Sequence, residues 1–178
     1  MLKKKLARIF LFLVMSSGFL YSQDYVSVSV HQDLKLLAFG DDLGNKAGTL
    51  DVLARLKYQR PQKQLGYLIY LLEFEKANIN IDFTRYGIAT GYTFNNLFSN
   101  DINFEVTPTL GLGSISRKGM SSFSWSGSLG FAYKLSKKVK LSSLLQFTSR
   151  SDLKKLYNDD EIRYSFFLGI EVNLFRTN

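Results

Sequence analysis

The only histidine of the chain lies in a segment whose side chains have the chemistry of a hydrolase. His31 stands between Ser29 and Asp33 at two-residue spacing. A serine, a histidine and a carboxylate within hydrogen-bond reach supply the nucleophile, the base and the orienting acid of acyl hydrolases. Along a strand, however, successive side chains of one face lie about 6–7 Å apart. We therefore interpret His31 as a histidine bonded to polar neighbours, and a lipid hydrolase that uses it is the alternative.

The other charged motifs lack the spacing of a metal or cofactor site. Acidic residues cluster at Asp41-Asp42 and Asp159-Asp160-Glu161, without the ordered ligand positions of a calcium loop. They are interpreted as solvated loop charge, and no metal and no cofactor are predicted. The basic pairs Arg117-Lys118 and Lys154-Lys155 carry the charge to contact anionic lipid headgroups.

The net charge and the absence of cysteine limit the class of protein. The chain has 178 residues, with 23 Lys and Arg against 15 Asp and Glu, a net charge of +8, and no cysteine. The first 22 residues carry four of the positive charges and no acid, which leaves 8 − 4 = +4 for the rest. This mild balance argues against a nucleic-acid partner. Without cysteine, disulfides, thiolate metal sites and a lipid-modified N-terminal cysteine are excluded.

The start of the chain has the pattern of a secretory signal peptide. A basic stretch from Lys3 to Arg8 precedes an apolar run at residues 9–15, and small side chains follow. The apolar run is shorter than the roughly 20 residues that a membrane helix needs, so a retained anchor helix is disfavoured. We predict a signal peptide at residues 1–22 and a single exported domain at residues 23–178.

Behind this leader, apolar residues alternate with polar or small ones along most of the chain. From Ile162 to Leu174 every even position is large and apolar, and the odd positions mostly are not. A strand turns successive side chains to opposite faces, so a period of two predicts a sheet with one apolar face. The predicted strands cover residues 25–39, 49–59, 65–75, 83–94, 102–114, 122–135, 138–149 and 162–175. This pattern predicts an all-β fold, a single eight-stranded antiparallel up-and-down transmembrane barrel.

The connections between the predicted strands alternate in length. Residues 59–64, 95–100 and 136–137 form short to moderate connections, whereas residues 40–48, 76–82, 115–121 and 150–161 form longer ones on the whole. Outer-membrane barrels have short periplasmic turns and longer outside loops, so the longer set is predicted to lie outside. Pro108 falls within a predicted strand, where proline removes a ladder hydrogen bond, and a β-bulge is predicted there.

Two observations indicate that lipid covers the apolar face. The opposite face is rich in small residues such as Gly87, Gly111 and Ser126, which suit a narrow lumen better than a water-facing surface. Aromatic residues also concentrate toward both ends of the apolar rows, as the two interfaces of a bilayer select. The predicted lipid-facing aromatic girdle comprises Tyr58, Phe74, Tyr86, Tyr92, Phe94, Phe104, Trp125, Tyr133, Phe147 and Tyr164. A soluble exported β protein with an aromatic interior is the alternative.

Charged and polar residues of mixed sign occupy the other face. The predicted lumen residues are His31, Asp33, Arg55, Glu73, Arg85, Glu105, Lys134, Arg163 and Glu171. The same face also carries charges such as Lys57, Glu75 and Lys140. Because an unpaired buried charge costs several kcal/mol, we expect interior salt bridges and a lumen filled by side chains. A narrow pore for ions or small solutes is the alternative.

The leader, the amphipathic strands and the last strand together resemble the small outer-membrane β-barrel family of OmpA-barrel and OmpX type. The last strand is similar to the C-terminal signal of that family, in which a glycine precedes spaced apolar residues and an aromatic; Gly169, Val172, Leu174 and Phe175 match. The chain departs from the pattern by continuing past the aromatic with Arg176-Thr177-Asn178. The resemblance implies insertion by the barrel-insertion machinery into the outer membrane of a Gram-negative cell. The expected partners are outer-membrane lipid, lipopolysaccharide and other envelope proteins.

The predicted function is a non-enzymatic structural, surface-interaction or accessory role in the outer membrane. The resemblance implies no particular activity, because small barrels of this kind differ widely in their roles. Two alternatives remain, a narrow pore and a lipid A-modifying hydrolase that uses His31.

Overall fold

The computed structural model describes residues 24–41, 45–62, 66–78, 83–95, 103–158 and 162–177. The predicted signal peptide lies outside the described residues, as do Asp42 and the acidic segment 159–161. The strands are β1 (Asp24–Asp33), β2 (Asp51–Gln62), β3 (Gly66–Ala77), β4 (Phe83–Asn95), β5 (Phe104–Arg117), β6 (Met120–Lys134), β7 (Val139–Ser149) and β8 (Ile162–Thr177). Two short helices, α1 (Leu34–Ala38) and α2 (Ser151–Tyr157), follow β1 and β7.

The eight strands close into one barrel in the order of the sequence. Each strand pairs antiparallel with the next, and β1 closes the barrel by pairing with β8, for example through Val30 and Ile170. A closed sheet has no edge strand, so its backbone donors and acceptors are paired within the barrel. The predicted all-β, eight-stranded, antiparallel up-and-down barrel is confirmed.

The barrel turns its large apolar side chains outward and its charged side chains inward. Ile88, Leu110 and Leu112 are all more than half exposed, whereas Arg85 and Glu105 are buried. Water-soluble proteins show the opposite arrangement, with charged groups outside and large apolar groups inside. Among the described residues, neither helix is long and apolar enough to cross a membrane.

The prediction that the first strand extends to residue 39 is wrong, because β1 ends at Asp33. The Asp33 carboxylate accepts hydrogen bonds from the backbone N–H groups of Lys35 at 2.8 Å and Leu36 at 3.3 Å. Aspartate at a helix N-terminus satisfies donors that the first turn leaves unpaired, and α1 begins here for that reason. Leu36, which the alternation places on the lipid face, is instead buried in a helix that packs against β8.

The connections give the barrel two distinct ends. We call the end that carries both helices the loop end, and the end where β1 begins and β8 finishes the terminal end. The prediction of a long outside loop at 115–121 is wrong, because β5 and β6 are longer than expected and only Lys118 and Gly119 connect them. Both residues have positive φ angles, 50° and 73°, as in tight turns whose twist matches that of a hairpin. The predicted loop 150–161 contains α2.

The prediction of a β-bulge at Pro108 is also wrong. The register between β4 and β5 is the same on both sides of the proline, from the pair Gly91–Thr109 to the pair Phe94–Val106. Pairing with β6 is continuous across Pro108. Because proline has no N–H to donate, the ladder is interrupted on the β4 side only, and no extra residue is needed.

Candidate functional site in the barrel lumen

Two arginines and two glutamates form a buried network in the lumen, which we call the arginine cluster (Arg55, Glu73, Glu75 and Arg85). They occupy lumen-facing positions of β2, β3 and β4, which are neighbours in the sheet. Arg55 Nη2 lies 2.6 Å from Glu73 Oε1, and Arg85 Nη1 lies 3.0 Å from Glu73 Oε2. Arg85 Nη1 also lies 3.9 Å from Glu75 Oε2. Glu73 therefore bridges both guanidinium groups.

Serines of β6 complete the arginine cluster. Arg85 donates to Ser126 Oγ at 2.7 Å and to Ser124 Oγ at 3.4 Å, while Arg55 donates to Ser128 Oγ at 3.4 Å. A guanidinium group carries five N–H donors in one plane, so it can hold a carboxylate and hydroxyls together. Glycine on β4 leaves room for this arrangement, because a Cβ at Gly87 would lie only 3.2 Å from Arg85 Nη2.

Three lysines and two glutamates form a second network toward the terminal end, which we call the lysine cluster (Lys57, Glu105, Lys134, Lys140 and Glu171). Lys57 Nζ lies 2.5 Å from Glu171 Oε2. Lys140 Nζ lies between the two carboxylates, 2.7 Å from Glu105 and 3.4 Å from Glu171. Lys134 Nζ lies 3.2 Å from the second oxygen of Glu105, and its side chain is 35% exposed. The lysine cluster therefore extends from the buried lumen to solvent.

The two clusters differ in their balance of charge. The arginine cluster contains two cations and two carboxylates, so its formal charges cancel. The lysine cluster contains three cations and two carboxylates, which leaves one positive charge in excess. A charge taken out of water is costly unless a counter-charge accompanies it. The lysine cluster thus has one cation more than its carboxylates can neutralise.

Apolar side chains fill part of the space between the charged groups. Leu53, Leu144 and Phe167 form one buried contact cluster, and Phe83 belongs to a second cluster near the loop end. Ion pairs and hydrogen bonds are electrostatically stronger where apolar neighbours exclude water. One cavity in the lumen lies beside His31 and has a volume of about 40 Å³, close to the roughly 30 Å³ that one water occupies in the liquid.

The histidine has a partner that its sequence neighbours do not suggest. His31 Nε2 is hydrogen-bonded to Ser142 Oγ on β7 at 2.8 Å, and the tautomer decides which of the two donates. Asp33 caps α1 with its carboxylate. The structure therefore engages His31 and Asp33 with different groups, and His31 lies beside a cavity too small for a lipid chain.

A further set of ion pairs holds α2 at the loop end. Arg150 donates to both oxygens of Asp152 at 2.9 Å, and Arg117 Nη1 lies 3.3 Å from the same carboxylate. The Arg150 guanidinium also lies over the Phe83 ring, 3.9 Å from its centroid. Burial raises the pKa of Asp152, but the hydrogen bonds and charges of the two arginines outweigh it and hold that pKa below its ordinary value of 3.8. The carboxylate therefore stays ionised at neutral pH.

The segment after α1 is tied to β8 in the same way. Arg163 Nη2 lies 3.0 Å from Asp41 Oδ2, and the side-chain amide of Asn45 donates to both oxygens of Asp41 at 2.9 and 2.8 Å. Burial raises the pKa of Asp41, but the Asn45 hydrogen bonds and the Arg163 charge outweigh it and lower that pKa below 3.8.

Comparison with known proteins gives a match at the level of structure. No model of a known protein family and no curated protein sequence matches this chain. The outer membrane protein Ail of Yersinia pestis, solved in a phospholipid bilayer nanodisc, is 15% identical, with a TM-score of 0.56 over 86% of this chain and 100% of that chain. Neisserial surface protein A is 15% identical, with a TM-score of 0.52 over 86% of this chain and 98% of that chain.

A second structure of Ail, in complex with the heparin analogue sucrose octasulfate, is 12% identical. Its TM-score is 0.53, and the match covers 88% of this chain and 100% of that chain. The chain has the fold of a small eight-stranded outer-membrane β-barrel. Likeness at this level of identity shows the fold and not the role.

Within this fold, the residues predicted to line the lumen lie in four places. The arginine cluster contains Arg55, Glu73 and Arg85, and the lysine cluster contains Glu105, Lys134 and Glu171. His31 lies beside the 40 Å³ cavity. Asp33 and Arg163 lie at the loop end. Sequence reasoning missed Gln59 and Asn173 as lumen residues. Their signal was present, because each follows a charged lumen residue, Lys57 or Glu171, by two positions on the same strand face.

The residues predicted to form the aromatic girdle lie on the outer surface of this fold. Several pack as pairs, with ring centroids 5.3 Å apart for Phe74 and Tyr86, 4.8 Å for Tyr92 and Phe94, and 5.8 Å for Trp125 and Phe147. Tyr58 packs on Tyr70, and Phe104 on Phe131. Tyr133 and Tyr164 are exposed, Tyr164 the most of the ten. Their contact with lipid stays a prediction.

The C-terminal strand explains two features of the predicted insertion signal. A Cβ at Gly169 would lie 2.0 Å from the carbonyl oxygen of Val30, so only glycine fits this close approach of β8 to β1. The register shifts near the end of β8: Phe175 pairs with Val26 and Asn173 pairs with Ser27, so Leu174 has no partner on β1. The extra residue, Leu174, lets both Leu174 and Phe175 lie exposed on the outer surface with Val172. Recognition of this strand by the insertion machinery stays a prediction.

Proposed function

We propose that the protein is a non-enzymatic integral barrel of the bacterial outer membrane, closed to solutes, whose loop end interacts with the anionic glycolipid of the outer leaflet. The observation that carries this proposal is the inverted placement of side chains. Leu110 and Tyr164 are 69% and 72% exposed, while Arg85 is fully buried. An apolar belt of this extent needs an apolar phase to cover it, and strands can enter that phase only as a closed barrel.

The filling of the lumen supports a closed barrel over a narrow pore. The arginine cluster joins β2, β3, β4 and β6 across the interior through hydrogen bonds and ion pairs. Beside it, the buried side chains of Leu53, Leu144 and Phe167 occupy further space. The cavity beside His31 has a volume of only about 40 Å³, which holds about one water, whereas passage of a solute needs a continuous path through the barrel.

The charge at the loop end supports contact with anionic headgroups. Among the described residues, the exposed charged side chains at this end are lysines: Lys35, Lys46, Lys76, Lys118, Lys154 and Lys155. The described carboxylates of the same end, including Asp41 and Asp152, are buried or half-buried. Each lysine near an anionic membrane surface contributes about 1 kcal/mol of attraction. The phosphates of lipopolysaccharide are the anions that an outward-facing loop end meets.

Refolding of the mature chain into vesicles tests the proposal. We expect a folded barrel that migrates differently on a gel before and after boiling, and that gains thermal stability when lipopolysaccharide is added to phosphatidylcholine vesicles. The triple variant Lys118→Gln, Lys154→Gln, Lys155→Gln should lose most of this gain. The control Lys138→Gln, which replaces an exposed lysine at the terminal end, should keep it.

Two results would contradict the proposal. A mature chain that is monodisperse in buffer without detergent would remove the membrane barrel, because the apolar belt would then have to be covered by the protein itself. An equal gain in stability for the triple variant and the control would remove the interaction of the loop end with lipopolysaccharide.

A further inference from the structure

A pocket opens at the terminal end of the lumen, directly beside the lysine cluster, and we call it the terminal pocket. Its volume is about 160 Å³, which corresponds to about five waters at the density of the liquid. Its walls include Tyr25, Gln59, Tyr67, Lys134, Lys137 and Asn173. The rings of Tyr25 and Tyr67 pack edge to face with centroids 6.1 Å apart and form part of one wall. The pocket is therefore large enough for a small polar ligand.

Two amide side chains in this pocket have unused hydrogen-bonding groups. Gln59 is 3% exposed, and its Nε2 donor has no hydrogen-bond partner among the described residues. Asn173 Nδ2 donates to the backbone carbonyl of Lys137 at 3.2 Å, while its Oδ1 has no partner among the described residues. A buried donor without an acceptor costs about 1–3 kcal/mol. Because Gln59 lines the terminal pocket, a rotation of its amide would bring this donor to an acceptor atom of a ligand there and remove that cost.

The charge of the pocket favours an anion as the ligand. Lys134, Lys137 and Lys140 line it, against the single carboxylate of Glu105. Both oxygens of Glu105 are already engaged, one by Lys140 at 2.7 Å and the other by Lys134 at 3.2 Å. The adjoining lysine cluster has one cation in excess and Lys137 adds another, so a bound anion would offset positive charge in this group.

We propose that the terminal pocket binds a small oxyanion, a carboxylate or a phosphate, that enters from the periplasmic side. Lys134 and Lys137 supply the positive charge, and Gln59 Nε2 donates a hydrogen bond to an anion oxygen. Charge-assisted hydrogen bonds of this kind are about twice as strong as neutral ones. The ring wall of Tyr25 and Tyr67 limits the ligand to a small group, such as the free carboxylate end of a peptide or a phosphate.

Titration of the mature chain, folded in a maltoside detergent that carries no phosphate, tests this proposal. The probes are inorganic phosphate, acetate and N-acetylglycine, and the readout is the backbone amide shifts of residues that line the terminal pocket. We expect saturable shifts with at least one probe, and binding about tenfold weaker in Lys134→Gln and in Gln59→Glu. Gln59→Glu keeps the size of the side chain but replaces the donor with a competing carboxylate. Lys118→Gln, at the loop end, is the matched control and should bind like the parent chain.

The probes separate the two sources of the anion. Saturation by phosphate alone supports a phosphate ligand, whereas saturation by N-acetylglycine supports a peptide carboxylate. Absence of saturable shifts with all three probes at millimolar concentration overturns the proposal. So does equal binding by the parent chain and both pocket variants, since Lys134→Gln changes a partly exposed side chain and leaves the barrel folded. The lipopolysaccharide assay uses loop-end variants, so either proposal can fail without the other.

Discussion

The arginine cluster and the lysine cluster place charges in the same lumen but differ in composition, balance and exposure. In the arginine cluster, Arg85 is fully buried and bonded to Glu73 and to two serines of β6. In the lysine cluster, Lys134 is 35% exposed and contacts a single carboxylate. The first group is neutral as a whole, and the second has one cation in excess.

This difference follows from the chemistry of the two cation types. A planar guanidinium holds several partners at defined angles, as Arg85 does with Glu73 and two serines, and in this way it joins the walls of the lumen. An ammonium group is a point charge on a flexible stem, so it can exchange one partner for another. We infer that the arginine cluster closes the lumen and that the lysine cluster keeps a charge available for a ligand.

The largest expected effect is on the free energy of unfolding. Two single variants are compared, each of which removes one cation from one cluster at neighbouring lumen positions of β2. Arg55→Met leaves Glu73 and Glu75 with only Arg85, and we expect a loss of about 3–5 kcal/mol in the free energy of unfolding. Lys57→Met leaves two lysines with two glutamates, and we expect a loss of about 1 kcal/mol or less, because the charges then balance. Urea unfolding in vesicles, followed by the gel shift of the folded barrel, measures both. Equal losses would show that charge balance does not distinguish the clusters.

The second effect concerns closure of the lumen. Arg85→Ala removes the side chain that fills the space beside Gly87 and the serines of β6, so we expect conductance steps in planar bilayers. The parent chain should give none, and neither should the control Lys134→Ala at the open mouth. Conductance by the parent chain, or the absence of conductance in a folded Arg85→Ala barrel, would contradict the role of the arginine cluster in closure.

A third prediction tests an ion pair that belongs to neither cluster. The pKa of Asp152 is lowered in the folded protein, so its contribution to stability is complete above the ordinary value of 3.8 and is lost as the pH falls below it. Amide exchange in α2, corrected for its intrinsic pH dependence, should be flat from about pH 7 to pH 5 and increase below 3.8. Asp152→Asn should exchange faster than the parent chain above pH 3.8 and should not show the increase at lower pH. An increase already near neutral pH would point to another group.

The smallest effect is expected for the partly exposed lysine. Lys134→Gln removes an ion pair that solvent screens, so the free energy of unfolding should change by less than about 1 kcal/mol. The same urea unfolding measures it at low and high salt. A loss as large as that of Arg55→Met would mean that Lys134 is a structural member of its cluster rather than an exchangeable one.

Much of this fold follows from local patterns. The alternation from Ile162 to Leu174 is enough to assign the lumen and outer faces of β8, because side-chain direction along a strand depends only on the neighbouring residue. Interior residues such as Arg55, Glu73 and Glu171 could be predicted in the same way. The errors lie where another local rule competes with the alternation. Asp33 caps a helix and ends β1, and the Lys118-Gly119 turn extends a hairpin that looked like a loop.

The sequence by itself determined the barrel, its two faces and the sign of the charge on each lumen position, since all three depend on residue type and a period of two. The tertiary structure decided which of these groups meet. His31 bonds Ser142, 111 positions away, and Lys57 bonds Glu171, 114 positions away. Such partners depend on the stagger of eight strands after closure, and that stagger is a property of the whole sheet. The balance of each cluster, and the terminal pocket beside one of them, therefore exist only in the folded barrel.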